Sequence, residues 1–131
     1  MSATFEKCFE AETGDIDVMG HVNNAVWVRW MEDVATAHWE SVADPAHVIA
    51  YAWVVTRHEI DYRGNIGLGE AVTARTWIED APRGARFDRH IRFVDAEGRE
   101  KVRARTTWAM IDLASGRIMR VPAEITAPFL G

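Results

Sequence analysis

The chain has 131 residues, 48% of them hydrophobic and 27% charged, a globular balance that excludes a disordered polymer and a length that predicts one domain, residues 1–131, with a core large enough to need no covalent staples. A net charge of −5 leaves no global attraction for nucleic acid or an anionic membrane surface. A single cysteine, Cys8, excludes an intramolecular disulfide framework and any multi-cysteine zinc site.

In chain order, residues 4–12 read as a strand. Glu6, Lys7 and Glu10 stand where a secretory signal would carry an apolar run. The longest apolar stretch, 48–55, is far short of the ~20 residues a membrane helix needs. The expectation is a cytoplasmic protein. A polar, glycine-containing segment, 13–23, leads into the strongest helical signal of the chain. Trp27, Trp30, Met31, Val34, Ala37, His38 and Ser41 recur at intervals of three and four, the spacing of one helix face. Val28, Ala35 and Trp39 widen that face, which predicts a helix buried on several sides. Asn23 or Asn24 can cap its start, and Asp44-Pro45 marks the end of the helical region.

Beyond it the period changes to two. Val54, Thr56, His58, Ile60 and Tyr62 alternate with Val55, Arg57, Glu59, Asp61 and Arg63, and residues 71–79, 86–94 and 101–111 alternate likewise. Short turn-forming segments at 64–69, 81–84, 95–98 and 113–116 join them, predicting an antiparallel meander. The expected class is α+β: a curved antiparallel sheet of five to six strands wrapped around one long central helix. The six tryptophans imply large apolar areas that need covering, within the fold or between subunits.

Several chemistries drop out. The three serines, Ser2, Ser41 and Ser115, lie in no G-x-S-x-G elbow. His58-Glu59 lacks the second histidine of a zinc helix. Gly64, Gly67 and Gly69 run in the wrong order for a dinucleotide fingerprint and precede a strand. No P-loop lysine is present, and no metal or organic cofactor is expected. His58 and His38 read as core histidines, and no partner is identified for His47 or His90.

The segment Gly14-Asp15-Ile16-Asp17-Val18-Met19-Gly20-His21-Val22-Asn23-Asn24 remains. Two carboxylates, a histidine and two amides stand immediately before a helix start. The first N–H groups of a helix lack intrahelical partners and carry the positive end of its dipole, so they can polarise a carbonyl and hold the oxyanion formed on attack. A carboxylate nearby can be nucleophile or general base. From the residues alone a second reading stands beside this one: the Asp and Asn side chains form turns and cap the helix, and His21 packs.

The stretch GDIDVMGHVNNAVWVRWMEDV resembles the opening signature of hotdog-fold acyl thioesterases, the 4-hydroxybenzoyl-CoA thioesterase family. Its D-x-D-x-x-x-H-x-N-N spacing also resembles plant-type acyl-carrier-protein thioesterases. Weaker echoes lie in Ile60-Asp61-Tyr62-Arg63, Ile111-Asp112 and Ser115-Gly116-Arg117. The resemblance implies a hotdog fold and hydrolysis of an acyl thioester without metal or cofactor. It puts the catalytic carboxylate at Asp17, the carbonyl-polarising N–H at Asn24, and a catalytic or orienting histidine at His21. Asn23 matches a loop-shaping amide, and Asp15 a carboxylate that supports the loop. Met19 stands where plant-type enzymes carry an amide and Asn65 roughly where they carry Glu. Both departures favour a coenzyme A thioester, and both positions are candidate substrate contacts.

Arg83 and Arg86, at a predicted hairpin tip, are read either as solvated residues or as contacts to CoA phosphates. An exposed sheet edge invites a second chain, and the resemblance implies a homodimer or homotetramer with residues near 60–68 contributed across the interface. The alternatives are an acyl-carrier-protein thioesterase, a hotdog hydratase or dehydratase using His21 with Asp17, and a non-catalytic acyl-thioester binding module.

Overall fold

The computed structural model describes residues 4–130. Strand β1 (Phe5–Glu10) and a single 3-10 turn (Thr13–Asp15) lead to helix α1 (Asn24–Val42). A short helix α2 (Pro45–Ala50) follows, then strands β2 (Tyr51–Tyr62), β3 (Ala71–Trp77), β4 (Arg86–Val94), β5 (Glu100–Asp112) and β6 (Arg117–Ile118), and helix α3 (Ala123–Leu130). The sheet runs β1-β3-β4-β5-β2, antiparallel throughout, with β6 added to the end of β5. The expected helix with its curved sheet is therefore present, and the four long strands fall within a few residues of the alternating segments.

Helix α1 forms because its apolar residues share a wide face and its first turn is capped. Asn23 supplies the cap, accepting the Ala25 N–H on Oδ1 at 2.9 Å. Val26, Trp27, Trp30, Met31, Val34, Ala35 and His38 are buried. Fully burying a side chain of this kind is worth roughly 1.5–3 kcal/mol. Trp27 meets Trp30 and Phe93 edge-on at 5.2 and 5.1 Å, and Phe9 stacks on Trp30 at 5.3 Å. Ser41, expected on the packed face, is exposed.

Two helices depart from the sequence reading, and a sixth strand takes the sheet to the upper end of the expected five to six. Asp44 and Pro45 do not close a helical region; they open α2, with Asp44 as N-cap to Ala46 N at 2.8 Å and Pro45 in the first turn. The two-residue β6 is held by its pairing with β5. Helix α3 carries Pro128 inside it and only eight residues, too short to hold without tertiary support. It forms because Ile125 and Phe129 bury against the sheet and the end of α1. No helix among the described residues is long and apolar enough to cross a membrane.

Candidate active site

The segment before α1 folds into a closed tight turn. The Asp17 N–H donates to the His21 carbonyl at 2.8 Å, and the Gly20 N–H returns to the Asp17 carbonyl at 3.1 Å. Gly20 sits at φ +77°, a conformation that a side chain would strain. Within this turn the Asp17 carboxylate accepts from Met19 N at 2.9 Å and His21 N at 3.2 Å, both on Oδ1. Oδ2 has no partner among the described residues. Asp17 is half-buried, while Met19 and His21 are exposed.

Asp15 anchors the turn to the helix. Its carboxylate accepts from Glu12 N at 3.0 Å and from Arg29 Nη2 at 2.9 Å, and its carbonyl accepts the Asn23 N–H at 2.9 Å. The Glu12 N–H bond and then the Arg29 guanidinium hold this carboxyl below its usual range, against the opposing effect of burial.

Asn65 anchors the turn from the other side. Its Oδ1 accepts Val22 N at 3.1 Å and Ile66 N at 2.9 Å, and its Nδ2 donates to the Val22 carbonyl at 3.3 Å. The amide therefore positions the backbone beside Asn23 and Asn24. The Asn24 N–H, first in α1, finds no acceptor among the described residues. Asn23 and Asn24 are both exposed. The Tyr62 hydroxyl reaches the Asn24 carbonyl at 3.5 Å.

Six of the eight residues singled out from the sequence thus converge: Asp17, Met19, His21, Asn23, Asn24 and Asn65 share one end of α1. Arg83 and Arg86 do not join them. They close a turn at the opposite end of the sheet, bridged at 2.8 and 3.0 Å through their backbones. Arg86 pairs with Ala109, whereas the Asn65 end of the sheet pairs with Lys101, about 25 Å away along β5. Arg83 is also engaged, bidentate to Asp88 at 3.0 and 3.3 Å. Burial raises the Asp88 carboxyl, but the Arg83 and Thr107 bonds outweigh it and leave it lowered.

The histidines separate cleanly. His58 is half-buried, its Nδ1 2.9 Å from Thr106 Oγ1, and burial lowers its pKa against the opposing Glu32. His90 stacks on Trp77 at 5.7 Å, and with Glu79 and Asp80 it places ligand atoms within 4.8 Å of one another. That group is a surface cluster and bears on neither end of α1.

One cluster was not anticipated. Arg89 is 6% exposed, and its Nη1 lies 2.8 Å from His38 Nδ1 and 2.9 Å from Thr76 Oγ1. The pattern in β4 contained the signal. Arg89 alternates in phase with Phe87, Ile91 and Phe93, which all face the core, so an arginine occupies an inward position. Beside it opens a cavity of about 210 Å³, six of whose thirteen lining residues are aromatic. No part of the Asp17 turn lines it; Ala35, its nearest lining residue on α1, is about 16 Å along the axis from Asn24.

Residues 11–129 match the family model described as the thioesterase-like superfamily. Comparison with curated protein sequences finds no match. Among solved structures, the chain is similar to a hypothetical protein of Staphylococcus aureus in complex with CoA, at 15% identity and TM-score 0.85 over 98% of this chain and 82% of that one. It is similar to an acyl-ACP thioesterase from Bacteroides thetaiotaomicron at 23% identity and TM-score 0.82, covering 98% of this chain and 54% of the other, so it spans about half that protein's length. It is also similar to a 1,4-dihydroxy-2-naphthoyl-CoA thioesterase from Synechocystis at 20% identity and TM-score 0.76, with 95% of each chain covered.

Proposed function

Because this chain belongs to the thioesterase-like superfamily and has the hotdog fold, we propose that it hydrolyses acyl-CoA thioesters to the free acid and CoA, with Asp17 as the reacting carboxylate. One observation carries this reading. A carboxylate with a free oxygen is clamped in a rigid turn immediately before a helix whose first N–H, on Asn24, has no acceptor among the described residues.

The chemistry needs little more. A thiol leaves as thiolate because its pKa lies near 8.5, so no general acid is required. The thioester carbonyl accepts the Asn24 N–H, and Asp17 Oδ2 faces the carbonyl carbon. In one route Asp17 takes a proton from water as the hydroxide oxygen bonds to carbon. The oxyanion rests on the Asn24 N–H and collapses with loss of thiolate. In the other route Oδ2 bonds to carbon, thiolate leaves, and water opens the resulting anhydride. Single-turnover hydrolysis in heavy-oxygen water separates them: label in the first product molecules identifies the base, and unlabelled oxygen from Asp17 identifies the nucleophile. His21 orients the turn through its backbone, and Asn23 and Asn65 hold the helix start. Met19 meets the substrate from the turn's tip.

The surroundings of the turn support a composite site in a homodimer or a tetramer of two dimers. Val18, Met19 and Leu68 are 101%, 76% and 61% exposed, an apolar rim awaiting an acyl chain or a second subunit. The twelve-residue β2 is an edge strand with β5 on one side only, and a second copy added antiparallel along it would continue the sheet. Such a copy would bring the far end of its sheet toward the Asp17 turn. Arg86, which has no side-chain carboxylate partner among the described residues, would then be the arginine available for CoA phosphates, and Arg83 would remain bonded to Asp88.

The deciding experiment is thiol release from a panel of aliphatic and aryl CoA thioesters, repeated with Asp17→Asn. Free thiol with wild type and its loss in the variant are expected. A 3-hydroxyacyl product from crotonyl-CoA would instead identify a hydratase. Binding without turnover would identify an acyl-thioester binding module, and release only from acyl-carrier-protein substrates would move the carrier assignment.

A further inference from the structure

The cavity beyond the middle of α1 has an unusual wall. Trp39, Tyr51, Trp53, Trp108 and Phe129 line it with aromatic rings, and Arg89 is the charged group in its depth. A guanidinium removed from water is costly unless an anion pairs with it. Arg89 has no ion pair among the described residues, and its two bonded neighbours, His38 and Thr76, are neutral acceptors on a single nitrogen, Nη1. Nε and Nη2 have no acceptor there. Burial lowers Arg89 only to about 10, so it keeps its charge at neutral pH.

His38 cannot compensate that charge. Burial, followed by the Arg89 charge, depresses it to about 4. The other groups packed on it are the rings of Phe5, stacked at 5.0 Å, and Phe129, edge-on at 4.9 Å. Glu40 lies at the cavity's rim, exposed, and makes no ion pair with Arg89. Trp108 also buries its Nε1 without an acceptor. Arginine donates through a planar fork shaped for a carboxylate, and the surrounding rings suit an apolar body.

We infer that this cavity is a binding site for an apolar or aromatic carboxylate, whose carboxylate pairs with Arg89 and whose body lies among Trp39, Trp53 and Trp108. The shared chemistry has two sources: a free carboxylic acid, or the distal carboxylate of an acyl group carried on a thioester. The inference stands apart from the thioesterase reading, since the cavity contains none of the Asp17 turn.

The test uses the whole chain with a probe series of benzoate, phenylacetate, 4-phenylbutyrate and hexanoate, each beside its neutral amide. Calorimetry and the fluorescence of the lining tryptophans report binding. At least one acid should bind at least about tenfold more tightly than its amide. Arg89→Met should remove that preference and keep the fold, because an apolar chain of similar length replaces an unpaired buried charge. Thr36→Trp, on the exposed rim, should block the mouth without touching Arg89. Glu40→Gln should tighten binding.

A second arm compares hydrolysis of hexadecanedioyl-CoA and palmitoyl-CoA, whose chains are long enough to span the distance from Asn24 to Arg89. If Arg89→Met lowers kcat/KM for hexadecanedioyl-CoA alone, the carboxylate is the acyl end; if the ratio is unchanged while acid binding is lost, the site takes free acids. Equal binding of acids and amides, or no acid binding together with an unchanged hydrolysis ratio, overturns the inference. A chain that hydrolyses no thioester but binds an acid through Arg89 would refute only the proposed activity.

Discussion

The two ends of α1 solve opposite problems. At the N-terminal end, polar groups sit at or just beneath the surface and are ordered mainly by backbone hydrogen bonds: half-buried Asp17 by Met19 and His21, half-buried Asn65 by Val22 and Ile66, and buried Asp15 by Glu12 with the Arg29 side chain. In the C-terminal half, a charged group lies in the core and is surrounded by side chains: His38, Thr76 and a ring of aromatics around Arg89. The first end is rigid yet accessible, which suits a reaction that must admit water and release a thiol. The second is walled by core side chains, where a lower effective dielectric than bulk water strengthens an ion pair with any anion that enters. The contrast shows how one helix supports two kinds of polar site, one built from backbone and one from packing.

The sharpest way to break the comparison is at Asp17. Asp17→Asn keeps the acceptor oxygen for Met19 and His21 but loses the negative charge. Turnover should fall by about 10³-fold with KM little changed, measured by thiol release. Retention of more than a tenth of the rate would remove Asp17 from the chemistry.

The next effect belongs to the other end and depends on pH. His38 is depressed to about 4 in the fold against 6.5 when unfolded, so between those values the unfolded chain binds the extra proton. Its stabilising contribution is complete above pH 6.5 and is lost as pH falls toward 4, on the order of 3 kcal/mol. Urea midpoints across this range should show the loss, and His38→Gln should flatten the slope relative to wild type. Equal slopes in both proteins would show that His38 titrates normally.

Smaller effects sharpen the N-terminal side. Asp15→Ala leaves the Glu12 N–H without its partner and Arg29 without its ion pair. It should cost about 2 kcal/mol in urea unfolding and lower kcat by loosening the turn. Asn23→Ala removes the α1 cap and should cost about 1 kcal/mol, visible as a lower Tm with the Asp17 turn otherwise in place. A greater loss for Asn23→Ala than for Asp15→Ala would invert the roles given to the two residues.

The two ends also differ in how far they could be read in advance. The Asp17 turn is a continuous run, and its spacing together with the helix start defined five of the eight expected residues, Asp17, Met19, His21, Asn23 and Asn24, as neighbours. Arg83 and Arg86 shared only a predicted hairpin tip, and nothing local relates that tip to Asp17. Helix α2 carried a readable start in Asp44-Pro45, but proline is informative at both boundaries of a helix and its position relative to the burial pattern decides which. Helix α3 has no comparable local signal, because its stability comes from Phe129 against Trp39 and His38.

Local sequence determined the period of each element, the cap of α1 and the composition of the turn before it, because those depend on residues within a few positions of one another. Tertiary structure alone decided that Arg89 would meet His38 and Thr76, that Asn65 would clasp Val22, and that the arginines of the far hairpin would lie a sheet's length from Asp17. Strand order and helix crossing set those distances, and both follow from the burial of the whole apolar surface rather than from any segment of it.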